Sequence, residues 1–438
     1  MRRRRFALAV LNGCLLIGGT VGLAAAPAAA DPATVTSFPA GAVSTTYAGR
    51  AFDTCSAPSF GAIQQWSASP YRAVAVYIGG INRACGQPNL SSSWVTSVAR
   101  SGWRLIPVYV GRQAPCVDRS GLVEISPTTA RTQGTLEASD AALRARAVGL
   151  RAGSAIYSDI ENYATTDASC RVSVLQYLSG WTRELHRQGF LSGVYSNTGS
   201  GITHLSAVHG STSYARPDAV WAARWDGLEL LTGWPGVSSS YWTVHQRGKQ
   251  YQGDHTETWA GVSIQIDSNR FDGPVGSVAL PYQVTAAGGL NARSGPGTTY
   301  PVVTVYPSAA GLSVICQTTG STVGTTTVWD RLSDGSYVTD YFVSTPSQTT
   351  YSAPVPRCRY PYQVAASPSL KKHTAASTTS PSPGSLLDGA LAWVTCQAPG
   401  GRVGTTSVWD RLDDGTYVSD YYVSTLSNTT YTSPLPRC

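Results

Sequence analysis

The chain has 438 residues, only 13% of them charged, and its 32 Lys and Arg against 25 Asp and Glu give a formal charge of +7. Four of those arginines are Arg2 to Arg5, so the rest of the chain carries +3 without a Lys/Arg-rich run, which argues against a nucleic-acid binder. The length exceeds one ordinary domain, and no apolar stretch after the first thirty residues is long enough to span a bilayer.

Residues 1–30 read as a signal peptide: a basic start, the apolar run "FALAVLNGCLLIGGTVGLAAA", and "APAAA" as a small-residue cleavage pattern ending at Ala30. The "RRRRF" start also permits twin-arginine export. "LNGC" at 11–14 has the form of an acylation site, but it comes too early in the apolar run and Asn12 fits it poorly. The mature chain is therefore expected outside the cell, secreted or associated with the cell wall, with no membrane anchor after cleavage and as a monomer. Residues 31–45 read as a linker.

Residues 46–275 alternate strand and helix signals. Strands are expected in "TYAGRAFDT", "AVAVYIGG", "WRLIPVYVG", "SAIYSDI", "FLSGVYSN", "AVWAARW", "WTVHQR" and "VSIQIDS". Helices are expected in "SSSWVTSVARSG", across 128–151, and in "RVSVLQYLSGWTRELHRQG". Eight strands with intervening helices over about 230 residues predict a (β/α)₈ TIM-type barrel in the α/β class. A doubly wound open sheet is the alternative, but no glycine-rich nucleotide loop follows any strand.

In such a barrel the chemistry gathers at the C-terminal strand ends. The first expected strand ends at Asp53, the fourth at Asp159 and Glu161, the seventh at Gln246 and the eighth at Asp267. Alternation puts Asp159 and Glu161 on one face, about 7 Å apart along the strand. Crowded carboxylates push one another's pKa values apart, so one stays protonated while others ionise, as glycosidic cleavage requires. Tyr77, Tyr109, Tyr195, Trp221 and Trp225 at neighbouring strand ends are candidates to contact sugar rings. The competing readings are that the acids cap helices or pair with Arg83, Arg112 or Arg224, and that the aromatics belong to the core.

Cys14 leaves with the signal, and the eight remaining cysteines form an even set in an oxidising compartment. Cys316 and Cys358 are 42 residues apart, as are Cys396 and Cys438, which predicts one disulfide for each pair. Adjacent strand ends predict Cys55–Cys85 and Cys116–Cys170, although four cysteines allow three connectivities. With no CxxC pair and scattered histidines, neither a metal nor another cofactor is expected.

The C-terminal part repeats itself at an offset of 80: "PYQV" at 281 returns at 361, and "VGTTTVWDRLSDG" returns as "VGTTSVWDRLDDG". Short Val/Tyr/Trp runs broken by Gly and Asp predict a small all-β barrel at 279–358 and another at 359–438. "LNARSGPGTTYPVV" at 290–303 resembles the signature of bacterial SH3-like domains, which implies binding to wall peptides or glycans. The second repeat has "LKKHTAASTTSPSPG" in its place, so its first half is degenerate.

The first 275 residues carry a second resemblance. "FDT", "SDIENY", "GVYSN", "VWAARW", "VHQR" and "QIDSNRFDG" are similar, in order, to the strands of glycoside hydrolase family 25 muramidases. "FDTCSAPS", "YIGGINRACGQPNLS", "GSAIYSDIENY" and "HQRGKQY" resemble more closely a glycoside-hydrolase-like family first catalogued as domain of unknown function 1906. The resemblance implies Glu161 as general acid, Asp159 as its orienting or charge-stabilising neighbour, and Asp53 and Asp267 completing the site. The function it implies is hydrolysis of a cell-wall glycan, peptidoglycan or a related polysaccharide, with the SH3-like repeats as wall anchors. The alternative is a catalytically silent barrel that binds wall glycan. A wall amidase would want a Cys–His pair or zinc ligands, and the cysteines are spent as disulfides.

Overall fold

The structure, a computed structural model, describes residues 42–438. The expected signal peptide, its cleavage after Ala30, Cys14 and all but the end of the expected linker lie outside the described residues. The first eight strands close into a barrel: β1 (Thr45–Asp53), β2 (Tyr71–Gly79), β3 (Arg104–Tyr109), β4 (Ala155–Asp159), β5 (Leu191–Asn197), β6 (Ala219–Ala223), β7 (Arg247–Trp259) and β8 (Val262–Val275). Neighbours from β1 to β7 pair in parallel. Here the structure departs from the expected all-parallel barrel. β7 and β8 form a long hairpin, so β8 runs antiparallel both to β7 and to β1, and no helix follows β6 or β7.

Five helices cover the barrel: α1 (Phe60–Gln65), α2 (Ser92–Arg100), α3 (Ala130–Ala147), α4 (Ala168–Arg187) and α5 (Gly201–Ala207). Ser59, Ser91 and Asp167 begin α1, α2 and α4 by accepting backbone N–H groups that the first turn leaves unpaired. α3 and α4 pack so closely that a Cβ at Gly134 would meet the Tyr177 carbonyl, and one at Gly180 the Arg131 carbonyl. Larger residues at either position would force the helices apart.

The two-residue period of the strands divides the core. Ala51, Ala73, Ala75, Val108, Ala155, Tyr157, Ala219 and Trp221 fill the barrel interior with Phe271. Their neighbours Phe52, Val74, Val76, Tyr109 and Ile156 face outward against Trp66, Trp94, Trp103 and Trp181. Alternating small and aromatic residues let eight strands close round a filled interior. The four expected disulfides are present: Cys55–Cys85, Cys116–Cys170, Cys316–Cys358 and Cys396–Cys438.

Beyond the barrel the chain is all strand apart from single 3₁₀ turns. β9 (Leu280–Gln283), β10 (Leu290–Arg293), β11 (Val302–Tyr306), β12 (Gly311–Val323), β13 (Thr326–Leu332) and β14 (Tyr337–Thr339) make one six-stranded sheet. β15 (Tyr360–Gln363), β18 (Leu391–Val403), β19 (Thr406–Leu412) and β20 (Tyr417–Ser419) make a four-stranded sheet, with β16 (Ser369–Lys372) and β17 (Gly384–Leu387) as a separate pair. These sheets dock on the barrel end where β1 to β7 begin. Arg104 and Arg151 donate to the carbonyls of Pro354 and Ser333, and the Trp393 indole donates to Val244. His245 bridges Asp272 and Asp413, and Arg359 pairs with Asp413. The opposite end of the barrel stays open.

Candidate active site

That open end is where the inward-facing positions of the strands finish. The same parity that places Ala51 inside carries Asp53 there, Ala75 carries Tyr77, and Tyr157 carries Asp159 and then Glu161. A cavity of about 440 Å³ is lined by Asp53, Tyr77, Asp159, Glu161 and Asp267, with Arg83 and Arg119 at its wall. Asp267 arrives by a different route from the one expected. It does not end its strand; the antiparallel course of β8 sets it opposite Asp53, in register.

Asp53 is 3% exposed and accepts hydrogen bonds from the Asn269 amide (2.7 Å), the Gln250 amide (3.1 Å) and the Tyr77 hydroxyl (3.1 Å). Burial, and then the charge of Asp267, push its carboxyl up to about 7, while those three donors pull the other way. Asp159 is buried with its Oδ1 unpartnered, and burial followed by the charges of Glu161 and Asp53 raises it well above the usual carboxylate range. Glu161 is half-buried. Burial and the charge of Asp267 raise its carboxyl, while Arg119 opposes the rise. Arg83, Arg112 and Arg224 do not neutralise these acids: Arg112 pairs with Glu137, Arg224 with Asp226, and Arg83 donates to the Tyr77 carbonyl.

Next to the first cavity lies a second of about 280 Å³, lined by Ile160, Glu161, Asn162, Tyr195, Asn197, Ala223 and Trp225. Glu161 lines both. Trp225 is 65% exposed, and its indole N–H is held by Gln250 Oε1 (2.8 Å), which also accepts from the Tyr195 hydroxyl (2.9 Å).

Three of the expected residues lie elsewhere. Tyr109 follows the inward-facing Val108, so its ring turns outward against Trp181 and its hydroxyl donates to Asp140 of α3. Trp221 faces inward but deeper, 1% exposed among Tyr157, Tyr195 and Phe271, with its indole N–H on Asn269. Gln246 precedes β7 instead of ending it, and its amide donates to the Asp218 carbonyl at the far end of the barrel.

The structure also brings in residues that sequence reasoning passed over. Gln250 donates to both Asp53 and Asp267, and Asn269 fixes Asp53 from β8. Gln113 clamps the acidic segment: its amide donates to the Asp159 carbonyl, and its carbonyl accepts the Glu161 N–H, each at 2.8 Å. Gln250 stands within "HQRGKQY", but the strand expected at 242–247 ends where β7 (Arg247–Trp259) begins, and so leaves Gln250 beyond it. Gln113, in an irregular loop, had no pattern to mark it.

Residues 64–271 match the model of the Rv2525c-like, glycoside hydrolase-like domain family, a stretch that takes in Asp159, Glu161, Gln250 and Asp267 and begins after Asp53. The barrel carries a glycoside hydrolase-like domain. The chain is also 34% identical over 90 residues to the uncharacterized protein YraI of Bacillus subtilis, covering 18% of this chain and 76% of YraI, and over that stretch it belongs to the same family. Among solved structures, the Tat-secreted protein Rv2525c of Mycobacterium tuberculosis in complex with L-tartrate is similar at 16% identity and a TM-score of 0.38, over 51% of this chain and 96% of that one. The modular autolysin LytC of Streptococcus pneumoniae in complex with a synthetic peptidoglycan ligand is similar at 13% identity and a TM-score of 0.31, over 51% of this chain and 46% of that one.

Proposed function

We propose that this chain is a secreted glycoside hydrolase that cleaves a cell-wall glycan, peptidoglycan or a related polysaccharide, with Glu161 as proton donor. The observation that carries this reading is the place of Glu161: half-buried, crowded by carboxylates, and shared by two adjoining cavities. A glycan lying across both cavities brings its scissile oxygen to that carboxyl. A proton donor must hold its proton near neutral pH, and burial beside Asp267 works in that direction. As the bond to the leaving sugar breaks, positive charge grows on the ring, and the carboxyl oxygens gathered beside Glu161 stabilise it. Tyr77, Tyr195 and Trp225 offer ring faces and hydroxyls to the sugars on either side. The family of the domain, named for glycoside hydrolases, supports the reaction class.

In the same reading residues 46–275 are the catalytic domain, and 279–358 and 359–438 are SH3-like units that hold it to the wall. The four disulfides and the absence, among the described residues, of any helix long and apolar enough to cross a membrane agree with work outside the cell. Release of reducing sugar from purified walls by the wild type and by Glu161→Gln tests the proposal. The variant keeps the shape but has no proton to give, so turnover should fall by about 10²–10⁴-fold with wall binding retained. Normal turnover by Glu161→Gln would overturn it.

A further inference from the structure

A concavity of about 1090 Å³, larger than either cavity at the barrel mouth, lies away from that mouth, in the seam between the two C-terminal sheets. Its first wall is the turn that carries Pro296, Gly297 and Tyr300, together with Arg357 near the end of the first repeat. Its second wall brings Arg411 and Arg437 from the other repeat. Acidic residues in the cleft are already committed: Asp413 to Arg359 and His245, and Asp414 to Lys372. None of Arg357, Arg411 and Arg437 has a carboxylate within ion-pair distance among the described residues.

Two of the three guanidiniums are seated on aromatic rings, Arg357 over Tyr351 at 3.1 Å and Arg437 over Tyr431 at 4.1 Å from the ring centroids. That seating costs a guanidinium few of its N–H donors and reduces the entropy it loses on meeting a ligand. The comparison between repeats sharpens the point. Arg331 occupies in the first repeat the position of Arg411 in the second, and it is buried on the rings of Tyr337 and Tyr360. Arg411 is exposed and opens into the cleft. Partial burial, and then the like charges of Arg359 and Arg411, hold Arg357 below its ordinary value, so the cluster is an arrangement that repels itself when empty.

We propose that this seam is a composite binding site, built by both repeats, for the oxyanions of an extended anionic polymer. Planar guanidiniums grip carboxylate and phosphate alike in two-pronged hydrogen bonds, so the shared chemistry is the oxyanion. The site is independent of the barrel mouth and of any hydrolysis there.

The test uses the whole mature chain with two fluorescent probes, a ten-residue poly-D-glutamate and a polyphosphate of similar charge, followed by anisotropy. Binding of either probe should weaken at least about tenfold, a loss of about 1.4 kcal/mol, in Arg357→Ala/Arg411→Ala, one change from each wall. Arg119→Ala, at the barrel mouth, should bind as the wild type does. A preference for polyglutamate would point to a carboxylate polymer and one for polyphosphate to a phosphate polymer, and either supports the site. An unchanged thermal midpoint in the double variant separates lost binding from lost folding, since all three arginines are exposed. Failure to bind both probes, equal binding by the double variant, or loss confined to Arg119→Ala would each overturn the proposal.

Discussion

Asp53 and Asp267 stand directly opposite each other across the antiparallel pairing of β1 with β8, and one amide, that of Gln250, donates to both. Two carboxylates so placed resist joint ionisation, and the shared donor is what eases it. Removing the donor should therefore raise Asp53 above the value of about 7 to which burial and Asp267 already bring it. In Gln250→Leu we expect a rise of about one pH unit, about 1.4 kcal/mol of lost preference for the charged form. Carboxyl NMR titration measures it directly. An unmoved midpoint would mean that Asn269 and Tyr77 suffice.

Trp221 and Trp225 are four residues apart and should respond in opposite ways to truncation. Trp225 is exposed at the second cavity, pinned by one hydrogen bond, so Trp225→Ala should leave the thermal midpoint nearly unchanged. It should weaken binding of wall glycan about tenfold, or about 1.4 kcal/mol. Trp221 fills the barrel beside Tyr157 and Phe271, so Trp221→Ala should cost about 3–5 kcal/mol of stability. A pull-down with purified walls, beside a thermal melt, separates the two.

Cys55 and Cys85 both line the 440 Å³ cavity at the barrel mouth, so their disulfide is part of its wall as well as a staple. It closes a separation of 30 residues, for which the loss of loop entropy in the unfolded chain is worth about 3–4 kcal/mol. Cys55→Ser/Cys85→Ser should lower the denaturation midpoint accordingly. If the wall guides substrate, KM should rise more than kcat falls, because Glu161, which follows β4, and Asp267, on β8, are carried by segments that the disulfide does not join. Equal loss in both constants would place the disulfide in the catalytic step.

What the sequence discloses here follows from periodicity. Strands with strict alternation announce which side chains turn inward, and that parity alone makes Asp53, Tyr77, Asp159 and Glu161 neighbours. The same rule, applied one residue further, would have excluded Tyr109, since Val108 is the inward residue. The reversal of β8 is not legible from alternation, since a hairpin between β7 and β8 and a helical crossover both begin from it; the short "AG" turn at 260–261 is the local signal that favours the hairpin. That reversal brings Asp267 to the mouth from within β8 (Val262–Val275), opposite Asp53, and not from a strand end. Gln113 and Gln250 act through single amides at positions set by tertiary folding, and no local pattern marks such residues.

The C-terminal sheets carry a pH dependence that their sequence repeat duplicates. Gln317 donates to Asp330 and Asp340 at 2.9 and 3.0 Å, and Gln397 donates to Asp410 and Asp420 at the same distances. The second oxygen of each of these four carboxylates is buried without a hydrogen-bond partner. Burial, and then the neighbouring carboxylate, hold Asp330 and Asp410 well above the usual range, and burial brings Asp420 up to about 6. Each pair is best satisfied when it keeps one proton. The folded chain therefore holds protons that the unfolded chain, with Asp near 3.9, would release. Stability from these pairs is complete below about pH 4; Asp420 loses its share as the pH climbs through about 6, while Asp330 and Asp410, held well above the usual range, keep theirs longer. We expect a higher thermal midpoint at pH 5 than at pH 7, with the difference shrinking in Asp330→Asn/Asp410→Asn, where an amide stands permanently for the protonated acid. A contribution of about 1 kcal/mol corresponds to roughly 2–4 °C in a domain of 150–250 residues. The double variant also controls for His209, which burial holds down at about 3: it takes up a proton only on unfolding as the pH falls below about 6.5, and so favours pH 7 equally in both proteins. If wild type and variant show the same change between pH 5 and pH 7, the pairs do not share a proton, and their buried oxygens must be satisfied in another way.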